Sequence, residues 1–118
     1  MISMREAYEK IGANYDDACT RLMGEEMLAR FALKFLDDES MDKLEAAMAA
    51  RDAKEAFMAA HTLKGVSQNL GFDNLFEPAV VVTEALRGAD TVDGAREGMH
   101  ALQQQYAATM SALREAAE

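Results

Sequence analysis

Residues 60–71 read Ala-His-Thr-Leu-Lys-Gly-Val-Ser-Gln-Asn-Leu-Gly, and this stretch decides the fold of the chain. An α-helix turns about 100° per residue, so Lys64 and Gly65 lie on the same side as His61. Gln68, seven positions after His61, lies on that side as well. The opposite side is apolar and carries Ala56, Ala59, Leu63, Val66 and Leu70. The pattern predicts a helix that packs its apolar side against a core and exposes His61 to water.

Two end signals set the length of this helix. Asp52, followed three residues later by Glu55, resembles a capping box in which Asp replaces Ser or Thr. Gly71 stands where a helix that ends near residue 70 needs a left-handed residue. We therefore expect a helix over residues 53–70, with His61 near its middle, where the backbone is stiff.

The remainder of the chain also favours helix, because Ala, Leu, Met, Glu, Lys, Arg and Gln dominate its composition. Apolar residues recur at helical spacing over 25–51, with a break near 38, and again over 73–88 and 93–116. Connections this short favour antiparallel neighbours. The sequence therefore predicts an all-α fold, an up-down antiparallel four-helix bundle with a short N-terminal helix packed across it.

Length and charge limit the classes of function. With 118 residues, half of them apolar, the chain has the size of a single domain, residues 1–118. The net charge of −9 argues against nucleic acid and against an anionic membrane surface, since both need clustered Lys and Arg. There is no apolar run of membrane-spanning length, no signal-peptide pattern and only a lone Cys19. We expect a cytoplasmic protein whose partners are proteins or small molecules.

His61 is the best candidate for a reactive group. A neutral imidazole is a nucleophile near pH 7, and Lys64, one turn away, can neutralise a phosphoryl group attached to it. Gly65 costs about 1 kcal/mol relative to Ala inside a helix, yet it leaves the approach to His61 uncrowded. Alone, a His followed by a Lys three residues later is a weak signal, because solvated helix faces often carry such pairs.

The chain resembles the histidine-containing phosphotransfer (Hpt) domains of bacterial multistep phosphorelays, in helix order over nearly its whole length. The resemblance is carried by Ala60-His61-Thr62-Leu63-Lys64-Gly65, Leu70-Gly71 and Leu75. It implies that His61 is phosphorylated, that Lys64 is the cation near the phosphoryl group and that Gly65 leaves space for the partner. From its position on the helix, we expect Gln68 to add a hydrogen bond.

The resemblance also implies a phosphocarrier rather than an enzyme. His61 would accept a phosphoryl group from the aspartyl phosphate of a receiver domain and pass it to the aspartate of another receiver. The partners would be response-regulator receiver domains or a hybrid sensor histidine kinase. The receiver would supply the Mg²⁺, so that the chain, which we expect to be a monomer, would need no cofactor or metal of its own.

Docking of a partner also needs apolar surface. Phe57 and Met58 lie within about 60° of His61 around the helix, and both are candidates for a contact with a receiver. Phe57 has an alternative position, in which it turns towards the seam with a neighbouring helix.

Two features leave other functions open. The phosphotransfer domains of chemotaxis kinases support the imidazole with a Glu on the next helix, and many Hpt domains have a Gln there, whereas this chain has Thr83 followed by Glu84. A four-helix adaptor that is not phosphorylated is therefore an alternative. Glu97 and His100 form a Glu-x-x-His pair of the kind found in di-iron bundles, but a single copy argues against a metal site.

Overall fold

A computed structural model describes residues 1–117, which form seven α-helices and two 3-10 turns with no β-strand among them. The α-helices are α1 (Met4–Ile11), α2 (Tyr15–Leu22), α3 (Glu25–Lys34), α4 (Ser40–Ala49), α5 (Ala53–Asn69), α6 (Asp73–Leu86) and α7 (Arg96–Ala117). The 3-10 turns are Phe35–Asp37 and Asp93–Ala95. The predicted all-α class is confirmed. Glu118, the last residue of the predicted domain 1–118, lies outside the described residues.

The N-terminal region differs from the prediction of one short helix, because it forms two. Gly12, with φ of 71°, ends α1 in the left-handed conformation. Two residues later the side chain of Asn14 accepts a hydrogen bond from the backbone N–H of Asp17 and caps α2. The predicted break near residue 38 is confirmed, since the 3-10 turn after α3 and the start of α4 at Ser40 lie on either side of it.

Helix α5 packs against α4 and α6, and α6 in turn packs against α7. The predicted N-cap is confirmed, because the Asp52 carboxylate accepts a hydrogen bond from the backbone N–H of Glu55 at 3.1 Å. The buried side chains of α5 are Ala53, Ala56, Ala59, Ala60, Leu63 and Ser67. Most of them are small, so neighbouring helices approach closely on this side and leave the other side of α5 to solvent.

The C-terminal end of α5 is enclosed by the two N-terminal helices. Gly71 has φ of 71°, as predicted for the residue that ends this helix. Its carbonyl oxygen accepts a hydrogen bond from the N–H of Asn14 at 2.7 Å. The Tyr8 hydroxyl donates to the Leu70 carbonyl at 2.7 Å, and burial raises the pKa of this phenol. We call this contact between α1, α2 and the end of α5 the junction.

Helix α7 is the longest, with 22 residues. It begins at Arg96 rather than at the predicted residue 93, because Asp93–Ala95 form a 3-10 turn. A Cβ atom at Gly98 would lie 3.2 Å from Val82 and 3.3 Å from Val81, so this glycine lets α6 and α7 pack closely. Among residues 1–117, neither α7 nor any other helix combines the length and the apolar character that crossing a membrane requires.

Candidate functional site

His61 lies at the middle of the 17-residue helix α5, and its side chain is exposed. The predicted outward direction is confirmed. Leu63, two residues after His61, has no exposed surface. The same turn of α5 therefore has a solvated side and a buried side. Within residues 1–117 the imidazole of His61 has no hydrogen-bond or ion-pair partner. Its ring nitrogens are therefore free to react, and its orientation depends on packing.

The other residues predicted for the site occupy the same side of α5. Lys64 is half-buried, whereas Gly65 and Gln68 are exposed. A Cβ atom built on Gly65 would meet nothing within 4 Å, so the surface beside His61 is open. The backbone carbonyl of Gln68 accepts a hydrogen bond from Arg21 of α2 at 3.1 Å, which ties this turn of α5 to the N-terminal helices.

Phe57 packs directly against the candidate nucleophile. Its ring and the His61 imidazole are stacked, with their centroids 5.9 Å apart and their planes 21° from parallel. Phe57 is half-buried and packs against the core of the protein. Across the seam with α6, the guanidinium carbon of Arg87 lies 5.1 Å from the centre of the Phe57 ring, within the range of a cation–π contact.

Arg87, at the end of α6, is held by Glu84 through two hydrogen bonds, from Nε at 3.2 Å and from Nη2 at 3.1 Å. These bonds lower the pKa of the Glu84 carboxyl, and the positive charge of Lys64 on α5 acts in the same direction. The same pairing raises the pKa of the Arg87 guanidinium.

The sequence analysis did not identify Arg87. Its spacing of three residues from Glu84 is a recognisable signal for an ion pair on a helix. The contact with Phe57 is different, because it joins two helices and depends on how α6 lies against α5. No local pattern in the sequence encodes that relation.

Thr83 does not support the imidazole in this structure. It is fully buried, and its hydroxyl donates a hydrogen bond to the Ala79 carbonyl of its own helix at 2.7 Å. Glu84 is exposed, and its carboxylate is paired with Arg87. Neither residue makes a hydrogen bond to His61.

Met58 lies on the α4 side of His61 and is 58% exposed. With Thr62 it borders a shallow groove between α4 and α5, whose other lining residues include Lys43, Ala46 and Ala50. The groove borders the part of α5 that carries His61, since Thr62 is the next residue along the helix. The two candidate contact residues thus lie on different sides of His61, with Phe57 towards α6 and Met58 towards α4.

The Glu97 and His100 side chains are both exposed on α7. In the part of the chain that the structure describes, no three His, Cys, Asp or Glu side chains form a group that could hold a metal ion. An exposed imidazole with an ammonium group one turn away and open space over Gly65 suits the acceptance of an anionic electrophile such as a phosphoryl group.

A family model described as Hpt domain matches residues 26–116, which is more than half of the chain. The match contains α4, α5 and α6 entirely and begins after α1 and α2. No curated protein and no solved structure matches the chain.

Proposed function

The chain belongs to the Hpt domain family, and we propose that it is a histidine phosphocarrier in a two-component phosphorelay with His61 as the phosphorylated residue. The resemblance seen in the sequence is confirmed by the family match. Hpt domains have a phosphotransfer role in two-component systems, where they carry the phosphoryl group and do not act as catalysts. The observation that carries the assignment to His61 is its exposure at the middle of α5, beside the open surface at Gly65.

In the proposed reaction, the lone pair of His61 Nε2 attacks the phosphorus of a receiver's aspartyl phosphate. A P–N bond forms while the P–O bond to the aspartate breaks, and the carboxylate leaves with the electron pair of that bond. A second receiver then takes the phosphoryl group through the reverse exchange. Positioning and charge neutralisation dominate such transfers, so a rigid helix that presents an imidazole is an adequate contribution from this chain.

The neighbours of His61 have distinct proposed roles. The Lys64 ammonium group neutralises charge on the phosphoryl oxygens, and Gln68 donates a hydrogen bond to them. Gly65 leaves room for the receiver to approach. Met58, which is largely exposed, and Phe57, which is half-buried, are the proposed apolar contacts with the receiver.

The partners we propose are receiver domains of response regulators and a hybrid sensor histidine kinase. The receiver would bring the Mg²⁺ that the transfer requires, so the chain would contribute no metal or cofactor. We further propose that residues 1–118 act as one monomeric domain in the cytoplasm. The packing of α5 between α4 and α6, and of α6 against α7, supports an up-down antiparallel bundle of four helices.

Incubation with a phosphorylated receiver and Mg²⁺ tests the assignment. We expect an acid-labile, alkali-stable label on the wild type that is lost in His61→Gln. The matched control is His100→Gln, because the chain has two histidines and both are exposed on helices. Lys64→Ala is expected to slow the transfer. Its cost in activation free energy should exceed its cost in the free energy of unfolding. If several phosphorylated receivers leave no label on the wild type, the phosphocarrier function is refuted and the non-phosphorylated adaptor is favoured.

A further inference from the structure

Given the proposed phosphocarrier function, on which this inference rests, we infer that Phe57 is a positioning residue. Its ring holds the His61 imidazole in the orientation from which the phosphoryl group is transferred. Arg87 and Glu84 on the neighbouring helix hold Phe57 in turn. The three contacts form a continuous path from α6 to the nucleophile on α5.

The imidazole has little else to fix it. It is exposed, and within the described residues no side chain or backbone group gives it a hydrogen bond. An exposed side chain of this kind exchanges between rotamers, and only some of them point a ring nitrogen at the incoming phosphorus. The Phe57 ring, stacked at 5.9 Å between centroids and 21° from parallel, favours one ring orientation over the others.

Phe57 can act in this way because it is itself immobilised. One turn before His61 on α5, it is half-buried and packs against the core. The Arg87 guanidinium carbon lies 5.1 Å from the centre of its ring. Two hydrogen bonds to Glu84 fix the guanidinium, so the aromatic ring has a restrained neighbour on α6. The Thr83 hydroxyl is bonded to Ala79, so the support from α6 that we infer for the imidazole passes through this stack.

Phe57→Leu and Phe57→Tyr separate the effect of the aromatic ring from that of apolar volume. In the unphosphorylated protein, NMR should show His61 ring protons shifted upfield by the stacked ring in the wild type and in Phe57→Tyr, with the shift lost in Phe57→Leu. Phosphorylation of His61 by phosphoramidate, a small donor that needs no docking surface, should slow about three- to tenfold in Phe57→Leu and stay near the wild-type rate in Phe57→Tyr. Arg87→Gln should slow it by a smaller factor.

Phe76→Leu is the matched control, because Phe76 is also half-buried but lies on α6 away from the stack. Phosphoramidate should phosphorylate this variant at the wild-type rate. Thermal melts show that each variant is folded. A Phe57→Leu rate that is unchanged with phosphoramidate overturns the inference, and so does slowing seen only with a receiver, since Phe57 would then be a docking contact. Unchanged His61 shifts in Phe57→Leu overturn it as well. Failure of the proposed function has a different signature, namely a wild type that no receiver labels.

Discussion

Gly65 and Gly71 lie six residues apart, in the middle and just past the end of α5, in opposite surroundings. A Cβ atom at Gly65 would meet nothing within 4 Å. A Cβ atom at Gly71 would lie 2.5 Å from the Asn14 carbonyl oxygen and 2.9 Å from the Ala18 Cβ, and the backbone there has φ of 71°. The junction therefore requires its glycine for folding, whereas the described structure gives Gly65 no such reason. The open surface at Gly65 supports the proposal that this glycine leaves room for a receiver.

The two regions also differ in where their residues come from. The candidate site residues all lie within the span matched by the family model, 26–116. The junction instead joins that span to α1 and α2, through Tyr8, Asn14 and Ala18. The N-terminal helices thus fix the end of the helix that carries His61, although they lie outside the match.

The largest expected effect is a difference in unfolding free energy between a substitution at the junction and one at the candidate site. Tyr8 is fully buried, its ring lies 5.4 Å from Tyr15 and 5.3 Å from Phe72, and its hydroxyl bonds the Leu70 carbonyl. Tyr8→Ala should lower the free energy of unfolding by about 3–5 kcal/mol. His61→Ala should change it by less than about 0.5 kcal/mol, because the imidazole is exposed. Urea denaturation of both variants measures the difference, and equal losses would show that the outward side of α5 is structural.

Gly71→Ala should have the next largest effect, a loss of about 2–4 kcal/mol in the free energy of unfolding. The left-handed backbone costs a residue with a side chain about 1–2 kcal/mol, and the contacts with Asn14 and Ala18 add an overpacking cost. Gly12→Ala is the control, since Gly12 has the same φ of 71° but nothing within 4 Å of an added Cβ. If the two variants lose the same stability in denaturant titrations, the junction is looser than the structure indicates.

Much of α5 was predictable because its signals are local. The cap at Asp52, the left-handed Gly71 and the alternation of apolar and polar sides are each encoded within one helix. The sequence analysis expected one N-terminal helix, although the signals that divide α1 from α2, the left-handed Gly12 and the Asn14 cap, are local as well. The hydrogen bond from Asn14 to Gly71 could not be predicted, because it joins distant parts of the chain. Phe57 was placed near His61 by its spacing on α5, with the seam as an alternative, and in the structure it stacks on His61 and faces α6. Its contact with Arg87 escaped prediction, because that contact depends on the packing of two helices.

Substitution of Gly65 is expected to change stability by less than the junction substitutions do, and the change has the opposite sign. Gly65→Ala should raise the free energy of unfolding by up to about 1 kcal/mol, since Ala favours helix and its methyl group meets no atom of the described residues. Transfer from a phosphorylated receiver should nevertheless slow about tenfold or more, because the methyl group displaces the docked partner from the reacting distance. Phosphorylation by phosphoramidate should keep its wild-type rate. If stability rises and transfer from the receiver is unchanged, docking of a partner does not explain this glycine. If stability falls, Gly65 is required by the fold, as Gly71 is.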